Sequence, residues 1–191
     1  NSFTFSSGTS SFIIYGYYNF GSPTFENIYN NNIYDLSVAG TNTGTSSLLN
    51  GMHTNTTSTA TKTIYGNNIY NFSALSGNVN GIAQFLGTNV QIYKNNIYNL
   101  SNATTVTTAA TMCGITINSG IVYAYNNFIS DLRTPLSASV DGIRGINITS
   151  TTSASTVGLY YNTIFLNASS TGANFGTTGI YHTYSATATT A

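Results

Sequence analysis

The sequence predicts an all-β protein, a parallel β-helix that winds through five to six turns of three short strands each. Three observations predict it. Two sequence marks recur together, apolar residues between them alternate with period two, and the same columns return from repeat to repeat. The first mark is a Tyr-x-Asn corner followed two residues later by isoleucine: Tyr29-Asn30-Asn31, Tyr65-Gly66-Asn67, Tyr93-Lys94-Asn95, Tyr125-Asn126-Asn127 and Tyr160-Tyr161-Asn162. Its asparagines are spaced by 36, 28, 32 and 35 residues. The second mark is glycine followed by an apolar residue, at Gly51-Met52, Gly81-Ile82, Gly114-Ile115, Gly145-Ile146 and Gly179-Ile180, with spacings of 30, 33, 31 and 34. A fixed period of this size is the signature of a stacked repeat architecture.

Each element of the unit follows from the pattern. The Gly-Ile-x-Ile segment is the first strand. The second ends at the corner and carries Ile28, Ile64, Ile92, Ala124 and Leu159 three residues before the asparagine. The third carries Ile33, Ile69, Ile97, Ile129 and Ile164 two residues after it, then Leu36, Phe72, Leu100 and Leu132 five after, where Asn167 breaks the column. Period two with a β-branched bias means strand rather than helix. Loops at 37–50, 73–80, 101–113, 133–144 and 168–178, rich in Ser, Thr, Ala and Gly, vary in length without disturbing the marks, as insertions on one outer face do. Residues 28–191 are read as β-helix repeats, and 1–27 as an irregular N-terminal strand or a degenerate turn through Tyr17-Tyr18-Asn19.

Equivalent positions of stacked coils lie about 4.8 Å apart. Asn31, Asn67, Asn95, Asn127 and Asn162 therefore form a structural ladder in which each amide, having both donors and an acceptor, satisfies the next. Two aromatic columns flank it: Tyr29, Tyr65, Tyr93, Tyr125 and Tyr160, then Tyr34, Tyr70 and Tyr98 with Ser130 interrupting before Phe165. Alternation turns these rings outward, so they either stiffen the solenoid or offer a platform to glycans or another protein. Glu26 and Lys62 share the column five before the asparagine, which predicts an exposed inter-turn ion pair worth about 0–1 kcal/mol.

Composition bounds the function. The 191 residues include four basic and four acidic ones and carry no net charge. Without a basic cluster there is no counterion release to drive nucleic-acid binding. No apolar run approaches the roughly 18 residues of a membrane span. The lone Cys113 excludes an internal disulfide and, with no charged neighbour to lower its pKa, reads as a small buried residue. The chain begins at Asn1 with neither initiator methionine nor signal peptide, as in a processed protein or an excerpt.

The chemistry of catalysis is sparse. Asp35 and Asp131 share a column three turns apart, about 14 Å, too far to act on one bond. Asp131, Arg133, Asp141 and Arg144 alternate in sign around one loop and tie it down. His53 and His182 lack metal-ligand spacing and read as solvent-facing or hydrogen-bonded. No catalytic, cofactor or metal residues are assigned, and the chain is read as a non-enzyme. The threonines fall at 54–63 and 104–111 rather than in the regular array of an ice-binding face, and Asn-x-Ser/Thr triplets at Asn55, Asn71, Asn99, Asn102, Asn147 and Asn167 are expected by chance in so Asn-rich a chain.

On the Gly-Ile and asparagine marks, residues 28–182 resemble the right-handed parallel β-helix repeat proteins, and in flavour the long repeat proteins that gliding and related bacteria export to their surface. That resemblance implies a right-handed helix and an extracellular structural or adhesive module. It leaves a glycan-binding β-helix, or a non-catalytic part of a polysaccharide-degrading enzyme, as the alternative. The termini, Asn1-Ser2-Phe3-Thr4-Phe5 and Tyr181-His182-Thr183-Tyr184, alternate like strands without a charged or helical cap. Open edges of that kind invite head-to-tail self-association into filaments, or cover by flanking repeats of a longer chain.

Overall fold

The computed structural model describes residues 11–38, 47–105, 111–149 and 155–183, all in strands, turns and irregular segments with no helix among them. The first coil holds β1 (Ile13–Asn19), β2 (Phe25–Tyr29), β3 (Asn32–Tyr34) and the short β4 (Ser37–Val38). The second holds β5 (Leu48–Asn55), β6 (Thr61–Tyr65) and β7 (Asn68–Ala74), and the third β8 (Asn78–Phe85), β9 (Asn89–Tyr93) and β10 (Asn96–Asn102). The fourth holds β11 (Met112–Ile117), β12 (Ile121–Tyr125) and β13 (Phe128–Arg133). β14 (Ile143–Ile148), β15 (Thr156–Tyr160) and β16 (Thr163–Phe165) make the fifth, and β17 (Thr177–His182) opens another. Like strands stack in parallel into three sheets, β1-β5-β8-β11-β14-β17, β2-β6-β9-β12-β15 and β3-β7-β10-β13-β16, with β4 also paired to β7. The fold is thus a parallel β-solenoid with three sheets, as expected.

Register confirms both marks, with Met52, Ile82, Ile115, Ile146 and Ile180 of the glycine mark paired in turn. Tyr29, Tyr65, Tyr93, Tyr125 and Tyr160 are paired in turn, as are Ile33, Ile69, Ile97, Ile129 and Ile164. The inward columns are almost fully buried through the middle coils, where Ile64, Ile92, Ile69, Ile97, Leu100 and Ile129 have no exposed surface. Each such side chain contributes about 1.5–3 kcal/mol.

The glycine mark has a steric cause. A Cβ built at Gly51, Gly81, Gly114 or Gly145 would lie 2.5–2.7 Å from Cγ2 of Ile69, Ile97, Ile129 or Ile164, and 2.6 Å from the carbonyl oxygen of the next glycine in the column. The first sheet therefore presses its backbone against the isoleucines of the third, and only glycine fits. Gly16 on β1 occupies the same column, beneath the Gly51 carbonyl. So β1, inside the stretch read as irregular, is the regular first strand of the first coil and pairs with β5 from Ile13↔Leu48 to Asn19↔Thr54.

Two sequence readings change. Several segments read as loop are strand, among them Ser37–Val38, Leu48–Asn50, Ser73–Ala74 and Asn78–Asn80, because the hydrogen-bonded ladders run past the last apolar mark. The Asn167 break also has a backbone origin. In the first four coils a residue with positive φ (Asp35 56°, Asn71 59°, Asn99 55°, Asp131 50°) sits just before the inward Leu or Phe and offsets the alternation by one. No positive φ occurs at position 166, so the strand keeps its period and Leu166 packs against the core instead. Residues 1–5 and Tyr184, read as open strand edges, lie outside the described residues.

Candidate functional site

The asparagine ladder is continuous. Nδ2 of Asn31 donates to Oδ1 of Asn67 at 3.0 Å, Asn67 to Asn95 at 2.9 Å, Asn95 to Asn127 at 3.0 Å and Asn127 to Asn162 at 2.9 Å. The same oxygens accept backbone N–H groups of Asn31, Asn67, Asn95 and Asn127. The second amide hydrogen goes to a carbonyl of the preceding coil: Asn67 to Ile28, Asn95 to Ile64, Asn127 to Ile92 and Asn162 to Ala124. Asn67, Asn95 and Asn127 are essentially buried, so each amide hydrogen bonds fully where water cannot reach. The turn itself is made one residue earlier, at Asn30, Gly66, Lys94, Asn126 and Tyr161, all at positive φ.

Two further polar ladders escaped the sequence reading. Asn96 donates to Asn68 and Asn68 to Asn32, each at 2.9 Å, on the exposed side of the corner. At the second bend Arg133 donates to Asn99, Asn99 to Asn71 and Asn71 to Asp35. The signal was present, since Asn or Asp recurs one and four residues after the corner asparagine.

Both tyrosine columns stack. Ring centroids are 5.1 Å apart for Tyr29–Tyr65 and 4.9 Å for Tyr65–Tyr93 and Tyr93–Tyr125, with planes within 8°. In the second column Tyr34–Tyr70 and Tyr70–Tyr98 lie 5.2 and 5.1 Å apart, and the stack ends at Ser130. The first column stops at Tyr125. Tyr160 is its register partner, yet the Tyr160 ring pairs with Tyr123 at 6.4 Å. Gly158 permits this, because a Cβ there would meet the Tyr160 hydroxyl at 2.7 Å and Tyr123 Cδ1 at 2.8 Å. The departure opens a cleft of about 410 Å³ lined by Gln91, Tyr123, Tyr125, Asn126, Tyr160 and Tyr161.

Glu26 and Lys62 correct the sequence reading most. They point inward and are buried, 5% and 0% exposed. They form no direct ion pair. Lys62 Nζ donates to the Phe85 carbonyl at 2.5 Å. Glu26 accepts from Tyr17 Oη at 2.9 Å, Asn19 Nδ2 at 2.8 Å and Thr54 Oγ1 at 2.5 Å. Burial lowers the Lys62 ammonium to about 8 against the opposing pull of Glu26, while burial and then the Glu26 bond raise the Tyr17 phenol to about 12. The alternation that turns Ile28 and Ile64 inward also turns the residues two before them inward, which outweighs the preference of charge for water.

Five of the remaining charged or histidine side chains are tied internally. The four-residue charged loop resolves into two pairs, an exposed Arg133–Asp131 contact at 3.3 Å and Arg144–Asp141 at 2.5 Å. Asp141 also accepts from Thr178 of the next coil, and Arg144 lies over the Tyr181 ring, 3.3 Å from its centroid. His53 is buried rather than solvent-facing, with Nδ1 3.0 Å from Asn50 Nδ2 and its ring between Tyr15 and Phe85, and burial lowers its pKa. Cys113 is buried and its thiol raised to about 11 by burial first, so it stays protonated. Among the threonines read as loop residues, Thr54 belongs to β5, Thr61 and Thr63 to β6, and Thr54, Thr56, Thr104 and Thr111 are buried.

Among the described residues no group of three or more His, Cys, Asp or Glu is placed to hold a metal ion, and no helix is long and apolar enough to cross a membrane. No protein-family model matches the chain, and searches of curated proteins and of solved structures return no match.

Proposed function

We propose that the chain is a structural module of an extracellular or surface protein, a stiff, non-catalytic solenoid that spaces or adheres rather than transforms a substrate. One observation carries the reading: the corner asparagines, the four acidic side chains and Lys62, Arg133 and Arg144 are committed to bonds within the fold. The corner asparagines bond one another, Glu26 has three donors, and Asp141 and Arg144 bind each other and the adjoining coil. A surface address fits the composition, in which Asn, Ser and Thr take the place of charge.

The ladder also has directional ends. Asn31 Oδ1 accepts no bond among the described residues, and the Asn162 backbone N–H, at the other end, has no acceptor corresponding to those of the earlier coils. In the last coil Ile180 is 53% exposed. Acceptor at one end and donor at the other suit head-to-tail stacking, with the further coil supplied by adjoining repeats or by a second copy.

The test is location and reaction together. Immunolabelling of intact source cells before and after protease shaving is expected to give label that shaving removes, and incubation with a polysaccharide panel to release no new reducing ends. Label confined to the cell interior, or reducing ends released by the purified chain, would refute the reading. Light scattering and electron microscopy check the stacking of copies, which a monodisperse monomer at high concentration would exclude.

A further inference from the structure

We infer that the cleft where the first tyrosine column breaks is a binding subsite for a neutral pyranose of an oligosaccharide. The unbroken stretches of the columns are unsuited to this. A ring inserted between two others needs about 3.5–4.0 Å on each side, so its neighbours must stand roughly 7–8 Å apart. The tyrosine centroids are 4.9–5.2 Å apart and their faces already cover one another. At Tyr125 this changes. Tyr160 has moved over Gly158 toward Tyr123 and leaves the far face of Tyr125 uncovered.

The chemistry of the lining selects the ligand. Its six residues are four tyrosines and two carboxamides, with no carboxylate, ammonium or guanidinium. The volume of about 410 Å³ lies within the range of small-molecule sites. Flat aromatic faces take the C–H face of a sugar ring, and carboxamides take its hydroxyls as donor and acceptor at once. Gln91 Oε1 is held by the Tyr125 hydroxyl at 3.0 Å, and the Gln91 NH₂ group remains without a partner among the described residues.

A second, independent feature is Tyr161. It is 88% exposed and held at φ 52°, a conformation that the equivalent Asn30, Gly66 and Asn126 adopt readily and that a long or bulky side chain resists, the equivalent Lys94 being the other such case. The fold gains no burial from a tyrosine there. Backbone strain kept at an exposed ring beside a cleft marks a residue retained for contact with something else.

The test is NMR titration of the whole chain with cellohexaose, maltohexaose, xylohexaose and chitohexaose, with hexagalacturonate as the charged control. The side-chain amide signals of Gln91 and Asn126 are expected to shift with at least one neutral sugar and not with the control. Tyr161→Asn removes a contact from an exposed position that already accommodates asparagine in other coils. It should weaken binding about tenfold, what one lost ring contact is worth, while melting no lower than the parent. Gly158→Ala, which drives Tyr160 back over Tyr125, should weaken it as much. Tyr34→Ala, far along the other column, should leave it unchanged. No shift with any neutral hexasaccharide, preference for hexagalacturonate, or unchanged affinity in Tyr161→Asn would overturn the assignment.

Discussion

The corner where the first and second sheets meet is built in two ways along one core. In the early coils it is polar: Asn19, Glu26, Thr54, Lys62 and Gln84 point inward, and Glu26, Thr54, Lys62 and Gln84 are buried. The Glu26–Lys62 column turns apolar at the third coil, with Val90 and then Val122, and the Asn19–Thr54–Gln84 column at the fourth, with Ile117 and then Ile148, all four buried. The backbone pairing is the same in both, so the difference lies in side chains alone. It shows that the solenoid tolerates buried charge where a set of hydrogen-bond donors closes around it, and that apolar packing does the same work with fewer dependencies. In the polar corner the Glu26 carboxylate accepts from three donors, and the Lys62 ammonium donates to the Phe85 carbonyl.

That contrast can be broken from the apolar side with the largest effect. Val122→Glu places an unpartnered carboxylate where no donor is at hand, and the chain is expected to lose its cooperative melt altogether. Retention of a melt near that of the parent would mean that the corner admits water. From the polar side, Glu26→Val copies the later coils but strands the Tyr17, Asn19 and Thr54 donors, at a cost of about 3–5 kcal/mol in chemical denaturation. A neutral or stabilising outcome would show that the donors find water and that the corner is not closed.

The asparagine ladder runs through both halves and should not distinguish them. Asn67→Ala beside the polar corner and Asn127→Ala beside the apolar one are expected to cost the same, roughly 1–3 kcal/mol, each leaving neighbours unsatisfied. Unequal losses in urea titrations would tie the ladder to its local corner. The smallest effect is in pH. Lys62 falls from 10.5 in the unfolded chain to about 8 in the fold, so between these values the unfolded state holds more protons and stability rises with pH. Relative to Lys62→Met, which has no such group, the parent should gain roughly 1–2 kcal/mol from pH 8 to 10.5 after allowance for solvent screening. Tyr17, raised to about 12, works in the opposite direction from pH 10 upward. A difference that stays flat across pH 8 to 10.5 would place the ammonium in water.

How far the sequence was legible depends on which forces act locally. The glycine and asparagine marks were legible because each has one steric or hydrogen-bonding solution, repeated in coil after coil, and the apolar columns through Ile92, Ile97 and Leu100 recur at fixed distances from the corner asparagine. Glu26 and Lys62 were misread because charge was weighed above alternation, when their place two residues before Ile28 and Ile64 already turned them inward. The tyrosine columns were visible, but their break was not. It depends on the missing side chain of Gly158, which matters only once Tyr123 is known to lie one coil below. Asn167 stood out as an irregularity, and its cause, the loss of one positive φ before it, is a backbone property that composition does not announce.

Buried amides bonded coil to coil line the corner of the solenoid, and side-chain hydrogen exchange measures them directly. By NMR in deuterium oxide, the Nδ2 hydrogens of Asn67, Asn95 and Asn127 should exchange far more slowly than those of the exposed Asn96, and Asn95→Ala should release protection at Asn67, whose acceptor is removed. Exchange of all three at the rate of a free asparagine side chain would contradict the ladder and, with it, the stacked solenoid.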